Sequence, residues 1–297
     1  MFMLGRAKDG VYEYSVSTPF DVSTITFVRD LDISVVDATQ GDNAANSIEF
    51  NTDGTKLFML GQGQDLVNEY ALSTGFNLST ASFTRSLDIS TEEILPYGLA
   101  FNNDGTKMYI TGWQGDDINE YTLTTGFDVS TASYSQNFDV SDQETRPSAV
   151  QFNSNGTTMY VLGGHTDPTI YQYTLTTAFD VSTASYSDKS LSVLDQETKA
   201  RGLCFGDNGT KMFVCGWQGD DINQYTATGS STDDGDEVHL VLETADDVST
   251  TGHYHLPVGT HHTDGDGHTA AEHREINLWN YKLQLLITQE NTNAGSD

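Results

Sequence analysis

One motif returns four times in this chain at an almost constant interval. It begins at Phe50, Phe101, Phe152 and Phe205, so successive copies are 51, 51 and 53 residues apart. A fifth, partial copy opens the chain, because the letters FMLG from Phe2 match those from Phe58. A regular period of this size indicates a fold built from equivalent units, and it takes priority over any local assignment of helices or strands.

Each unit contains four segments with the character of β-strands. The first two flank a tight turn such as Asp104-Gly105, a pair that accepts the positive φ of a hairpin. The third alternates apolar and polar residues, as in INEYTLTT from Ile118, and the fourth follows the turn FDVSTAS. Side chains such as Asp128 and Ser130 are expected to cap that turn. Four antiparallel strands in about 50 residues are typical of a propeller blade.

The repeat therefore predicts an all-β fold, a five-bladed β-propeller of four-stranded blades over residues 1–228, followed by a His-rich C-terminal extension over 229–297. Two strands are missing from the count, the inner strand of the first blade and the outer strand of the last. Because a ring cannot close with an open inner edge, we expect the extension to complete the propeller in part. DEVHLVLE from Asp236 is the nearest candidate, and the alternating run from Trp279 to Ile287 is either a second one or an oligomer contact.

These units resemble the β-propeller repeat proteins of the surface-layer and adhesin kind, over residues 1 to about 228. Such proteins share an apolar strand, a DGTK-like hairpin, a second apolar strand and a Thr-rich third strand. The resemblance implies the fold. It leaves the function open, since propellers include enzymes, lectins and pure scaffolds.

The charge of the chain excludes some partners. With 43 acidic and 13 basic side chains, the formal net charge is −30. Nucleic acid is bound by Lys and Arg that replace counterions, so we predict no nucleic-acid partner. No run of 18 apolar residues occurs, and we predict no membrane insertion. The N-terminal residues lack the pattern of a secretory leader. Cys204 and Cys215 are expected to be buried as small apolar residues, with a disulfide as the alternative.

The loop after the second strand is the most distinctive repeated element. GWQGDD occurs twice, giving the candidate glycan-binding residues Trp113, Gln114, Asp116 and Asp117, and Trp217, Gln218, Asp220 and Asp221. An indole beside amide and carboxylate groups offers a platform for a sugar ring and partners for its hydroxyls. The alternative is structural, with each tryptophan covering the gap between two blades.

Catalysis would need residues that break the repeat, because one active site requires one acid and one base. His165, Asp167, Arg146 and Arg201 are such residues, but nothing in the sequence pairs them. No nucleophile motif, phosphate-binding glycine loop or HExxH segment is present. We therefore predict that the chain is not an enzyme and has no catalytic residue.

The extension is rich in histidine. His253 and His255 lie two apart, which places both side chains on one face of an extended strand, and His261 and His262 follow. These four are candidate ligands for a transition metal, iron or zinc, and the alternative is a solvated loop. Asp264-Gly265-Asp266-Gly267 is a weaker candidate for calcium. His253 and His255 resemble the His-x-His motif of trimeric tail-fibre and spike proteins of tailed viruses, which implies a homotrimer around an axial ion.

A polar surface rich in Thr, Ser, Asn and Gly, without an export leader, is the combination found in virion proteins. We predict a virion structural protein of a tailed virus, a fibre, spike or capsid decoration at the virion surface that contacts other virion proteins. Its propeller would attach to a host cell-surface glycan or protein. The alternative is a secreted or cell-surface lectin-like propeller, and a propeller glycosidase is third.

Overall fold

The computed structural model of the chain describes residues 1–5, 10–32, 44–164, 166–206, 209–218, 221–226 and 283–284. In this part of the chain the regular structure consists of β-strands and four single-turn 3-10 segments: Val22–Thr24, Leu78–Thr80, Val129–Thr131 and Val181–Thr183. None of the described helical segments is long and apolar enough to cross a membrane.

The strands follow the predicted repeat. They are β1 (Phe2–Gly5), β2 (Gly10–Val16), β3 (Ile25–Asp32), β4 (Ala45–Phe50), β5 (Lys56–Gly61), β6 (Leu66–Leu72), β7 (Ala81–Asp88), β8 (Pro96–Phe101), β9 (Lys107–Gly112), β10 (Asp117–Leu123), β11 (Ala132–Asp139), β12 (Pro147–Phe152), β13 (Thr158–Gly163), β14 (Thr169–Leu175), β15 (Ala184–Ser192), β16 (Ala200–Gly206), β17 (Lys211–Gly216), β18 (Ile222–Thr226) and β19 (Leu283–Gln284).

The strands form five antiparallel sheets. Their orders are β19-β1-β2-β3, β4-β5-β6-β7, β8-β9-β10-β11, β12-β13-β14-β15 and β16-β17-β18. We number these sheets blade 1 to blade 5. The first strands contact one another in the order β4, β8, β12, β16 and β19, as innermost strands around an axis do, and β1 contacts β4 between blades 1 and 2. The predicted five-bladed β-propeller is therefore confirmed.

The inner strand of blade 1 comes from the C-terminal part of the chain. β19 pairs with β1 through Gln284 opposite Phe2 and Leu283 opposite Met3, and it also contacts β16 of blade 5. The alternating run around Leu283 therefore supplies the strand that the sequence count lacked. The other candidate, DEVHLVLE from Asp236, lies outside the described residues.

The hairpins and turns form for the predicted reasons. The Asp104 carboxylate accepts the Thr106 N–H at 3.0 Å, and Gly105 has φ 71°. In the following turn, the Asp128 carboxylate accepts the Ser130 N–H at 3.1 Å. Phe127 has φ 57°, a rare conformation for a bulky residue, and a Cβ on Gly105 would lie 2.3 Å from its ring. The phenylalanine ring occupies the space that the glycine leaves, which holds the turn against the hairpin.

The apolar core lies between blades. Phe58 and Leu60 of blade 2 pack with Leu99 and Ile110 of blade 3, and all four are fully buried. Equivalent clusters join the other neighbouring blades of the described structure. Cys204 and Cys215 are buried in the cluster between blades 5 and 1, as predicted, and they do not form a disulfide with each other.

Two blades each contain a largely buried ion pair whose members form hydrogen bonds to the next blade. In blade 3 the Lys107 Nζ lies 2.8 Å from the Glu120 carboxylate and donates to the Phe179 carbonyl of blade 4 at 2.8 Å. The same carboxylate accepts the Val181 N–H at 3.1 Å. Lys56 and Glu69 of blade 2 form the equivalent pair, with hydrogen bonds to Phe127 and Val129 of blade 3. Each carboxylate has its charge and its hydrogen bonds satisfied, which burial requires.

Blade 4 replaces both ionic partners at once. Thr158 stands where Lys107 stands in blade 3, and Gln172 stands where Glu120 stands. Because an uncharged amide needs no buried cation, Gln172 is compatible with Thr158, whereas a buried glutamate beside threonine would have no cation to compensate its charge.

Candidate functional site

The candidate site lies on the face of the propeller where the first strand of each blade begins. The end of the second strand pairs with the beginning of the first, as Gly112 does with Pro96. The GWQGDD loops and the connections between blades therefore meet on this face. Loops carried on a rigid scaffold are common places for binding and catalysis.

A β-bulge marks the beginning of each described inner strand from blade 2 to blade 5. The pairing shifts around the second residue of the strand, which is Asn46, Tyr97, Ser148 and Arg201 in turn. Bulges re-aim side chains and occur often beside active sites. The four blades therefore have four different types of side chain at this equivalent position.

Three of these bulge residues reach neighbouring blades. Asn46 donates to the Pro96 carbonyl of blade 3 at 2.7 Å, and the Ser148 hydroxyl donates to the Ala200 carbonyl of blade 5 at 3.4 Å. The Arg201 guanidinium crosses blade 4, where its Nη1 donates to the Gly164 carbonyl at 2.9 Å. A Cβ on Gly164 would lie 2.5 Å from that nitrogen, so the glycine makes room for the arginine.

Arg201 ends beside a pair of stacked aromatic rings in blade 3. The Tyr97 and Trp113 ring centroids are 4.3 Å apart with 19° between the planes. The Arg201 Cζ is 4.6 Å from the Trp113 centroid and 5.0 Å from the Tyr97 centroid. These three distances form a nearly equilateral triangle, so the guanidinium lies at the side of the stack and not over an outer ring face.

A second guanidinium approaches the same indole. Arg146, in the connection from blade 3 to blade 4, has its Cζ 5.3 Å from the Trp113 centroid. Arg146 is exposed and Trp113 is half-buried, whereas Tyr97 and Arg201 are buried. We call Tyr97, Trp113, Arg146 and Arg201 the Trp113 site. Blades 3 and 5 and the connection into blade 4 contribute its residues.

The Trp113 loop is held from beneath by Glu93. The Glu93 Oε1 accepts the backbone N–H of Leu95 at 2.7 Å and that of Gln114 at 3.3 Å. The backbone N–H of Trp113 donates to the Leu95 carbonyl at 3.1 Å. Burial raises the pKa of the Glu93 carboxyl, and the charge of Asp117 adds to that effect. The carboxylate packs against Gly112, where a Cβ would lie 2.5 Å from its Cδ.

Other carboxylates surround the exposed edge of the site. Asp116, at φ 53°, follows Trp113 by three residues, and burial and the charge of Asp139 raise its pKa while Arg146 lowers it. Burial likewise raises the pKa of Glu144, whose Oε1 accepts the Arg146 N–H at 2.7 Å. Asp117 is buried and bound by the Asn119 and Asn137 amides at 2.7 Å and 2.5 Å. The Asp117 side chain therefore stabilises blade 3 through these two hydrogen bonds.

The second predicted loop differs from the first. Trp217 is half-buried, and its backbone N–H donates to the Lys199 carbonyl at 3.3 Å. Gln218 accepts the Thr198 hydroxyl at 3.1 Å, and Asp221 accepts the Asn223 amide at 3.0 Å. Asp220 lies outside the described residues. Trp113 is the tryptophan that the structure places beside a stacked ring and two guanidinium groups.

The predicted metal ligands His253, His255, His261 and His262 lie outside the described residues. In the part that the structure describes, no group of three or more His, Cys, Asp or Glu side chains is arranged to hold a metal ion. The metal, the trimer and the glycan-binding roles remain predictions.

Sequence reasoning found Arg146 and Arg201 as exceptions to the repeat, but it left them unpaired and missed Tyr97. The missing signal was available in the repeat itself. Aligning the four inner strands places Tyr97 and Arg201 at the same position, where Asn46 and Ser148 stand in the other blades. A position that changes chemistry in every copy is a candidate for function.

The sheets and their radial order define a β-propeller protein. No family model matches the chain, and no curated protein does. Among solved structures, it is similar to a protein provisionally named 6-phosphogluconolactonase from Bacteroides fragilis NCTC 9343, at 11% identity and TM-score 0.49, over 76% of this chain and 79% of that one. A provisionally named 6-phosphogluconolactonase from Bacteroides uniformis ATCC 8492 follows, at 12% identity and TM-score 0.47, over 80% and 66%. The periplasmic gluconolactonase PpgL of Pseudomonas aeruginosa has 17% identity and TM-score 0.44, over 74% and 62%.

These neighbours correct two predictions. They are named as lactonases and not as adhesins, tail fibres or spikes, so the prediction of a virion structural protein for host attachment is wrong. The prediction that the chain is not an enzyme is wrong on the same comparison. Identities of 11–17% relate the folds alone, and the chain spans under two thirds of the Pseudomonas protein.

Proposed function

We propose that this propeller binds a small sugar-derived molecule, a sugar acid or its lactone, at the Trp113 site. The observation that carries the proposal is the stacked Tyr97–Trp113 pair with Arg146 and Arg201 beside it. An aromatic face packs against the apolar face of a sugar ring. A guanidinium donates paired hydrogen bonds to a carboxylate or to carbonyl oxygens.

The side chains of the site differ in burial, and this difference indicates which of them are fixed and which can move. Tyr97 covers one face of the indole and Arg201 fills its side, so both are fixed before a ligand arrives. Arg146 is exposed, and it is the group that can turn toward a ligand. A preorganised platform with one adaptable cation limits the entropy that binding costs.

The test is the affinity for D-gluconate, measured by calorimetry, of two matched tryptophan variants. Trp113→Ala should weaken binding by about tenfold or more, since it removes the platform, and Trp217→Ala should change it by less than about twofold. Arg146→Gln should weaken gluconate as much as Trp113→Ala does. Equal losses at the two tryptophans, or no binding by the native chain, would contradict the proposal.

A second candidate function, hydrolysis of a sugar lactone, is favoured by Asp116. Its carboxyl has a raised pKa within electrostatic range of Arg146. A carboxylate can take a proton from water as the water oxygen attacks the lactone carbonyl carbon, while Arg146 stabilises the oxyanion. The ring C–O bond then breaks, the Asp116 carboxyl returns its proton to the leaving ring oxygen, and the open-chain sugar acid is released.

Asp65 provides the control for that candidate, because it occupies the equivalent turn of blade 2 with φ 55°. The position equivalent to Arg146 is Leu95 there. We expect the chain to release acid from D-gluconolactone faster than water alone does. Asp116→Asn should lower kcat by about a hundredfold, and Asp65→Asn should leave it unchanged. A rate equal to the spontaneous rate would eliminate hydrolysis and leave the binding proposal standing.

A further inference from the structure

Backbone N–H groups that could cradle an anion are already used around the Trp113 site. The Leu95 and Gln114 N–H groups donate to Glu93, and the Arg146 N–H donates to Glu144. In the connection from blade 4 to blade 5, the Lys199 N–H donates to Glu197 at 2.7 Å. Phosphate sites usually offer several backbone N–H groups at a loop or helix N-terminus. Here the protein's own carboxylates occupy those donors.

The charges near Arg146 also disfavour a highly charged ligand. Asp116 and Glu144 both interact electrostatically with Arg146, and Asp116 interacts in turn with Asp139. Arg201 adds one positive charge, but its Nη1 donates to the Gly164 carbonyl. The repulsion from fixed carboxylates grows in proportion to the ligand's charge, whereas the hydrogen bonds from one guanidinium do not.

We infer that the Trp113 site selects a neutral or singly charged sugar derivative and rejects a phosphorylated one, because its carboxylates hold the loop N–H groups and surround Arg146. This inference rests on the proposed function and gives it a substrate class. Selectivity here comes from a repulsive element built beside the attractive one. Asp116 is the specificity-determining residue, since its side chain extends from the same turn as Trp113.

The experiment compares D-glucose, D-gluconate and 6-phosphogluconate by calorimetry on the native chain, Asp116→Asn and Asp65→Asn. The native chain should bind gluconate at least about tenfold more tightly than 6-phosphogluconate at low salt. Higher salt should narrow that ratio, because mobile ions screen the repulsion. Asp116→Asn should improve binding of the phosphate ester by about tenfold and of gluconate by about threefold. Asp65→Asn should leave both affinities as they are.

The outcomes separate the two claims. If 6-phosphogluconate binds the native chain as tightly as gluconate, or if Asp116→Asn changes both affinities equally, the inference is overturned and the proposed function stands. If none of the three compounds binds, the proposed function fails and the inference fails with it.

Discussion

Lys107→Thr should lower the free energy of unfolding by about 3 kcal/mol, and adding Glu120→Gln to the same chain should recover most of that loss. The single change leaves the Glu120 carboxylate, which is 2% exposed, without the ammonium that compensates its charge. It also removes the bond from Lys107 to the Phe179 carbonyl, which joins blade 3 to blade 4.

The double variant reproduces in blade 3 the uncharged pair of residue types that blade 4 has at the equivalent positions. Blade 4 has Thr158 and Gln172 at these two positions. Glutamine keeps an oxygen that can accept the Val181 N–H, and it carries no charge to bury. Urea unfolding of the native chain, both single variants and the double variant would measure the coupling. A double variant as unstable as Lys107→Thr would show that the interface depends on the lysine contact to Phe179 and not on charge compensation.

Gly112→Ala should destabilise the chain by about 2–3 kcal/mol and weaken binding at the Trp113 site. A Cβ there would lie 2.3 Å from the Leu95 carbonyl oxygen and 2.5 Å from the Glu93 Cδ. The backbone oxygen cannot move without disturbing the bond that it accepts from Trp113. The indole must therefore shift with it.

Gln114→Ala is the matched control, because Gln114 lies in the same loop and its side chain is exposed. Its unfolding free energy should stay within about 0.5 kcal/mol of the native value. Thermal or urea unfolding and gluconate binding would be measured on both variants. If Gly112→Ala keeps native stability and affinity, Glu93 does not hold the loop in the way described.

The repeat made the architecture predictable because each blade forms from local signals. The Asp104-Gly105 hairpin and the Asp128 turn are both set by residues a few positions apart. The closing strand was harder to assign, since Leu283 pairs with a partner nearly the whole chain away and several apolar runs could have filled that place.

The site could be predicted only in part for a related reason. Trp113 was found because its loop recurs, and Arg146 and Arg201 because they do not. Their meeting depends on a bulge that turns Arg201 across blade 4, which no local pattern specifies. Tyr97 has the appearance of an ordinary strand residue until its blade is compared with the others.

The pairing of β19 with β1 has a consequence for synthesis on the ribosome. Blade 1 emerges from the exit tunnel before the other four blades but is completed after blades 2 to 4, because its inner strand lies some 280 residues further along the chain. Until translation reaches Leu283, β1 presents an unpaired edge to solvent, and such edges recruit strands from other nascent chains. Blades 2 to 4 are each contiguous in sequence and can form as they emerge. The ring therefore closes in a single late step, when β19 pairs with β1.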